Sequence, residues 1–256
     1  ISATDPVAVL SIFREVGAPK RLALLVDGES LFNDGTAFVV FAILVELATD
    51  GGGVTSGAVV DGLVRFVVVV TGGLAFGAAA GYLMSRVVER INNNRLIEPT
   101  LTVALAYVAF AVADHFLHVS GVMATVAAGL VVGNYGRTKI SPPVLEYVHS
   151  TLDFLAHISN SLIFVMVGLS VSLAALWSEI GPVAVAIGAV LVARGLPMLM
   201  ALPLVNRLLL HPITWRYQAV MYWGGLRGAM ALAMVLSLNH GFEDRELLLD
   251  MTFGVV

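Results

Sequence analysis

The sequence predicts an all-α polytopic membrane protein. Hydrophobic residues make up 58% of the 256 positions and charged residues only 12%, and the share of charged residues in soluble domains is about 25%. The apolar residues form separate blocks, most of them long enough to cross the roughly 30 Å hydrocarbon core of a bilayer as α-helices. None of the blocks alternates with a period of two, as strands of a membrane barrel do.

Short polar connections separate the apolar blocks. The expected bounds of the blocks are 1–16, 22–49, 58–88, 99–117, 119–135, 158–177, 180–206, 214–238 and a last one from about 247. Lysine and arginine are concentrated in every second connection, namely 17–21, 86–98, 136–150 and 207–216. By the positive-inside rule these connections face the cytoplasm, and the alternation supports the whole series of spans.

The remaining stretch, 140–157, has apolar residues at a helical spacing, which predicts an amphipathic helix lying at the membrane interface. Within the block 58–88, the glycines Gly72, Gly73, Gly77 and Gly81 predict a face for close helix packing.

One charged pair in the same block also stands at helical spacing. Asp61 and Arg65 are four positions apart, and we expect them to pair locally.

Several enzyme classes lack support in the sequence. There is no cysteine, so neither a disulfide framework nor a thiolate metal site is expected. The motifs of phosphate loops, zinc sites and nucleophile elbows do not occur. We therefore expect neither a cofactor nor a nucleic-acid partner.

A polar octet, Gly28–Gly35, opens the apolar run Thr36–Leu47. A carboxylate at mid-membrane costs roughly 2.5–3.5 kcal/mol on insertion scales, so its presence calls for a partner or a use. Ser30 and Asp34 are four residues apart and share one helix face. Carboxylate and hydroxyl oxygens are hard donors that suit a small cation.

Glu29 and Asn33 form a second pair at the same spacing, turned by about 100° from the first. The alternative for both acids, Glu29 and Asp34, is a position near the helix start, where backbone amides and water satisfy them.

A second polar break is Thr4-Asp5-Pro6. Proline removes a backbone donor and disfavours the α conformation of the residue before it. The motif fits either an ordinary helix start, with Asp5 as N-cap, or a broken membrane helix of the kind that builds ion sites in transporters.

A third break is Gly224-Gly225-Leu226-Arg227-Gly228, where glycines weaken a helix and Arg227 needs a partner. Its alternative role is small-residue packing, with Arg227 capping carbonyls of a neighbouring helix.

Arg194 is the only charge within the run 184–204, so it needs an anionic partner or water. The candidate partners are Glu29, Asp34 and Asp5. Pairing with Glu29 would neutralise both groups and leave Asp34 without a fixed cation.

Three motifs together resemble the monovalent cation:proton antiporters of the NhaP/NHE sodium–proton exchanger type. They are Ala3-Thr4-Asp5-Pro6-Val7, the octet with Thr36, and Trp223-Gly224-Gly225-Leu226-Arg227-Gly228-Ala229. Their order and spacing fit over essentially the whole chain.

The resemblance implies an inverted-repeat antiporter fold of thirteen helices with two unwound crossing helices, of which this chain holds the fifth to the twelfth and the start of the last. Ile1 lies inside a motif and Val256 inside an apolar run, so we expect an internal piece of a longer protein. The implied ion-translocation bundle comprises 1–49 and 180–256, and 58–177 would be the scaffold on the dimer side.

The resemblance also implies roles for individual residues. Asp34 would bind the cation and the proton, and Asp5, Ser30 and Thr4 would complete the Na+ site. Asn33, Glu29, Arg194 and Arg227 would be structural, with Glu29 paired to Arg194.

The expected function is electroneutral exchange of Na+, or Li+ or K+, for H+ by a homodimer in the plasma (inner) membrane. A K+/H+ exchanger is the alternative within the same fold. An intramembrane aspartyl protease using Asp5 and Asp34, and a passive channel, are alternatives of other classes.

Overall fold

We describe the protein from a computed structural model. The described residues are 6–49, 56–90, 96–136, 142–170, 180–207, 212–225, 228–239, 241–242 and 244–256. Every regular element within these ranges is a helix.

The elements follow the predicted apolar blocks. In chain order they are α1 (Val7–Val16), α2 (Lys20–Thr49), α3 (Ser56–Val88), α4 (Ile97–Ala111), a π-helical turn (Val112–Phe116), α5 (Gly121–Asn134), α6 (Pro142–Ser170), α7 (Ile180–Asn206), α8 (Trp215–Gly224), α9 (Ala229–Leu236) and α10 (Arg245–Val255).

Four of the described segments are long and apolar enough to cross a membrane. They are Lys20–Thr49, Gly57–Val88, Ile97–Phe116 and Ile180–Asn206. In three of them only 11% of the most apolar window is buried within the chain. Because such exposed apolar surface is not stable in water, the helices confirm the predicted multi-pass membrane protein.

Helix α1 follows Pro6 directly and ends at a glycine. The carbonyl of Pro6 accepts a hydrogen bond from the amide of Leu10 at 2.7 Å, which closes the first turn. Gly17 takes the left-handed conformation with φ 67°, and its amide donates to the carbonyl of Phe13. Glycine suits this position because it has no Cβ to oppose a positive φ.

The predicted block 214–238 is not one helix. Helix α8 ends at Gly224, and α9 begins at Ala229 after an extended Gly228 with φ −115° and ψ 178°. The helix break expected from the glycine motif is therefore confirmed on both of its sides. Arg227 lies outside the described residues.

One helix covers the described parts of two predicted segments, the amphipathic stretch 140–157 and the apolar block 158–177. Helix α6 runs from Pro142 to Ser170 without interruption. No proline or glycine occurs between 144 and 167, so nothing in the local sequence ends the helix at the change of polarity.

Two compact units make up the chain, one of residues 1–34 with 160–256 and one of residues 35–159. The assignment of a mobile bundle and a scaffold stays a prediction.

The first unit is built on a small apolar core. This core consists of Val9 of α1, Leu22 and Val26 of α2, Ile213 and Met221. Asn206 at the end of α7 binds Ile213 just before α8, because its side chain accepts from the amide of Ile213 at 2.7 Å and donates to its carbonyl at 3.0 Å.

The second unit centres on the packing of α3 against α5. A Cβ on Gly73, Gly77 or Gly81 would collide with the backbone carbonyl of Ser120, Ala124 or Ala128, respectively. The two helices approach closely because these glycines have no side chains, which confirms the predicted packing face.

We expected Arg65 to pair with Asp61, but the ion pair that Arg65 makes in the structure is a different one. Arg65 of α3 instead donates to Glu46 of α2 at 2.5 Å, with side chains 55% and 45% exposed. The neighbouring helix offers a carboxylate, and helical spacing within α3 cannot reveal it.

Candidate ion-binding site

The polar octet lies in the middle of α2 and is helical throughout. Its residues therefore have the spacing that the sequence predicted, with Ser30 and Asp34 one helical turn apart. Ser30 is buried, with 4% of its surface exposed, and Asp34 is half-buried. This face of the helix thus carries a buried hydroxyl and a half-buried carboxylate.

Glu29 is paired with Arg194 of α7. Nη1 of Arg194 donates to Oε1 of Glu29 at 3.2 Å, and Nη2 donates to Oε2 at 3.1 Å. The arginine side chain is 9% exposed and the glutamate side chain 29%. A bidentate arginine–carboxylate pair is strong and geometrically specific, so each charge offsets the cost of burying the other.

Arg194 also binds the end of α8. Its Nη2 donates to the carbonyl of Met221 at 2.6 Å, and its Nε donates to the carbonyl of Tyr222 at 3.1 Å. These carbonyls belong to the last turn of α8, where no intrahelical amide is available to them. The positive charge at the negative end of the helix adds a favourable dipole interaction.

The same side chain therefore joins three elements, α2, α7 and α8, at the point where α8 stops. The hydroxyl of Tyr222 donates in turn to the carbonyl of Leu191 on α7 at 3.3 Å. The two reciprocal contacts fix α8 against α7 at this level.

A cavity of about 760 Å³ opens beside this cluster. Glu29, Asn33 and Arg194 provide its polar lining, and most of the rest is apolar and comes from α7. Asn33 and Glu29 thus face this space together, as expected of residues on one helix face. Asp34 is not among the residues that line it.

The site residues expected from the sequence divide into two sets. Ser30, Asp34, Asn33, Glu29 and Arg194 are described, and among them the structure brings Glu29 and Arg194 together. Thr4 and Asp5 lie outside the described residues, as does Arg227. Their expected roles stay predictions.

Sequence reasoning missed the contact of Arg194 with the α8 carbonyls. The sequence contained a signal for it, because a helix that ends at the glycine motif leaves its last carbonyls without donors. The capping of a neighbouring helix was one alternative role for Arg227, which lies outside the described residues. Arg194 makes contacts of this kind. Sequence reasoning also missed Gly225, which packs directly beneath the Arg194 guanidinium.

These features define a polytopic helical membrane protein in which α2 carries a glutamate paired with a buried arginine and, five positions later, a half-buried aspartate. A family model described as sodium/hydrogen exchanger, transmembrane, matches residues 1–256. The chain belongs to the sodium/hydrogen exchanger family.

Curated relatives match over the whole chain. The Na+/H+ antiporter NhaG of Bacillus atrophaeus is 39% identical, over 100% of this chain and 48% of the relative. The low-affinity Na+/H+ antiporter NhaS1 of Synechocystis sp. is 38% identical, over 100% of this chain and 49% of the relative. The Na+/H+ antiporter NhaP of Pseudomonas aeruginosa is 39% identical, over 100% and 60%. The chain spans about half the length of the first two relatives.

Proposed function

We propose that the protein containing this chain is a secondary active antiporter that exchanges Na+ for H+ across a membrane. It is a transporter that needs no cofactor, and Na+ and H+ are its substrates. The relatives named as Na+/H+ antiporters support this activity.

The observation that carries the proposal is that the two acids of the octet, Glu29 and Asp34, have different surroundings. Glu29 is bound in a bidentate pair to Arg194, which also holds two backbone carbonyls. A carboxylate whose two oxygens both bind one arginine is committed to a structural ion pair. Asp34 is half-buried on the face that it shares with Ser30. Asp34 is therefore the acid suited to exchange.

In the proposed mechanism Asp34 binds either one proton or one Na+, and the two compete. Oxygens of Ser30, Asp5 and Thr4 complete the coordination of a small hard cation. Because one monovalent cation replaces one proton, exchange is 1:1 and electroneutral. Movement of the bundle that holds the site alternately exposes it to the two sides of the membrane.

Further features belong to the same proposal. Li+ and K+ are alternative substrates because the ligand types accept any hard monovalent cation. The full-length protein is a homodimer of the plasma (inner) membrane, associated through 58–177. Residues 1–49 and 180–256 move as the translocation bundle.

Asp34→Asn in the full-length protein tests the mechanism. We expect the variant to lose Na+-driven proton movement in proteoliposomes, because the amide binds neither the proton nor the cation charge. Asp27→Asn is the matched control, since Asp27 is an exposed acid on the same helix and should leave exchange unchanged. Retained exchange in Asp34→Asn would refute the mechanism.

The same vesicles test the stoichiometry and the ion. An electroneutral exchanger keeps its rate when the membrane potential is clamped at different values, and a potential-dependent rate would contradict 1:1 exchange. Proton movement driven by a K+ gradient but not by a Na+ gradient would show the alternative K+/H+ exchanger. Cation flux that never drives protons uphill would show a channel.

A further inference from the structure

The C-terminal end of α8 depends on a side chain from another helix. Its last-turn carbonyls, Met221 and Tyr222, accept from Nη2 and Nε of Arg194. The guanidinium must therefore lie flat against the chain where α8 stops, while its other edge reaches Glu29.

Gly225 occupies the place over which the guanidinium passes. A Cβ at this position would overlap Cζ, Nη2 and Nε of Arg194. Two of these three atoms donate the bonds to the α8 carbonyls. A methyl group at position 225 and the observed position of Arg194 thus exclude each other.

The backbone of Gly225 does not explain the glycine. Its φ of −79° and ψ of 58° lie in the inverse γ-turn region, which residues with side chains adopt. Position 225 requires glycine because there is no space for a Cβ. Gly17 is the contrasting case, because its φ of 67° is a backbone conformation that favours glycine.

We infer that Gly225 is a positioning residue for Arg194. Its missing side chain provides the clearance that lets one guanidinium hold the end of α8 and Glu29 at the same time. The inference rests on the proposed function insofar as it concerns transport. The structural coupling of Gly225 to Arg194 can be measured whatever ion is carried.

The neighbouring glycines provide controls. On α7, a Cβ on Gly195 would lie 3.6 Å from Cε2 of Tyr222, an ordinary contact, and a Cβ on Gly188 would meet nothing within 4 Å. Gly188→Ala is therefore the matched control, because it adds the same methyl group to a helix of the same unit without a clash.

The test is a double-mutant cycle of Gly225→Ala and Arg194→Met in the full-length protein. Thermal unfolding in detergent and exchange in proteoliposomes, normalised to folded protein, are measured for both single variants and the double variant. Gly225→Ala should lower the melting temperature and reduce the maximal exchange rate at least about tenfold, as expected for losing hydrogen bonds from a charged donor. The half-saturating Na+ concentration should change less than about threefold, because Arg194 is not an ion ligand in the proposed site.

In the Arg194→Met background the same alanine should have little further effect on the melting temperature, because the clashing guanidinium is gone. Additive effects in the cycle would overturn the inference, and so would unchanged stability and exchange in Gly225→Ala. If Gly225→Ala fails to fold while the double variant folds, the inference holds. If both fail, the glycine is needed for a reason other than Arg194, and the inference falls.

A wild-type protein without Na+/H+ exchange would contradict the proposed function alone. The unfolding cycle would still report on Gly225 and Arg194, so the two failures are distinguishable.

Discussion

Arg194 binds Glu29 through two parallel hydrogen bonds of 3.2 and 3.1 Å, although 165 positions separate the two residues in the chain. The arginine is almost buried and the glutamate is about one-third exposed. One ion pair thus fixes the octet of α2 to α7 and, through the other bonds of Arg194, to the end of α8. This relationship leads to the first prediction.

Glu29→Gln should destabilise the protein by about 2–3 kcal/mol, because it leaves the Arg194 charge buried with only carbonyl partners. Adding Arg194→Met should restore part of this loss, since the unpaired charge is then absent. The restoration is partial because the carbonyls of Met221 and Tyr222 lose their donor. Thermal unfolding and Na+-driven exchange of the two single variants and the double variant measure the effect.

Strictly additive losses in these variants would show that the pair is not coupled. Asp34→Asn is the comparison, because its loss of exchange should not be restored by Arg194→Met.

The contact of α3 with α5 predicts opposite effects of the same substitution at two glycines. Gly77→Ala should destabilise the protein by about 1–3 kcal/mol, because the methyl group would overlap the backbone of Ala124. Gly129→Ala on α5 should stabilise it by about 0.5–1 kcal/mol, because space is open there and alanine favours the helix. Thermal unfolding of both variants measures these changes in stability. A change of the same sign for both variants would argue against the close packing of α3 and α5.

Glu98 in the first turn of α4 is buried without a partner. It is 1% exposed, and neither carboxylate oxygen has a hydrogen bond in the described part of the chain. Glu98→Gln should therefore keep or raise the stability, by up to about 2 kcal/mol, because an uncharged side chain is less costly to bury than an unpaired carboxylate. Unfolding temperatures at neutral pH measure this. A clear loss of stability would reveal a partner that needs the negative charge.

The ion pair of Glu46 and Arg65 should contribute little. Both side chains are about half exposed, and exposed pairs are worth about 0–1 kcal/mol. We expect Glu46→Gln to change the unfolding free energy by less than about 1 kcal/mol, with a smaller effect at higher salt. Denaturation at two salt concentrations tests this, and an effect as large as that of Glu29→Gln would contradict it.

The sequence was sufficient for features that depend on local chemistry. The length and apolarity of the blocks predicted the spans formed by α2, by α3, by α4 with its π-helical turn and by α7, because a bilayer requires about twenty apolar residues in a helix. The glycine motif predicted the break between α8 and α9, because three glycines within five residues lower the stability of a helix.

Predictions from the local sequence were wrong at two places. Arg65 had Asp61 at helical spacing, yet it bonds to Glu46. The amphipathic stretch 140–157 and the apolar residues after it differ in composition, yet α6 continues through both.

The octet shows most clearly which features the sequence determines and which features depend on the tertiary structure. The sequence by itself determined that Ser30 and Asp34 share one face of a membrane helix and that Glu29 and Asn33 share another, because helical periodicity fixes both. It left Arg194 with Glu29, Asp34 and Asp5 as possible partners from its residues alone, and the resemblance favoured Glu29. Only the tertiary structure showed the bidentate bond to Glu29, the capping of α8 and the clearance at Gly225. These contacts depend on how α2, α7 and α8 pack, and packing joins residues whose distance along the chain carries no information about their distance in space.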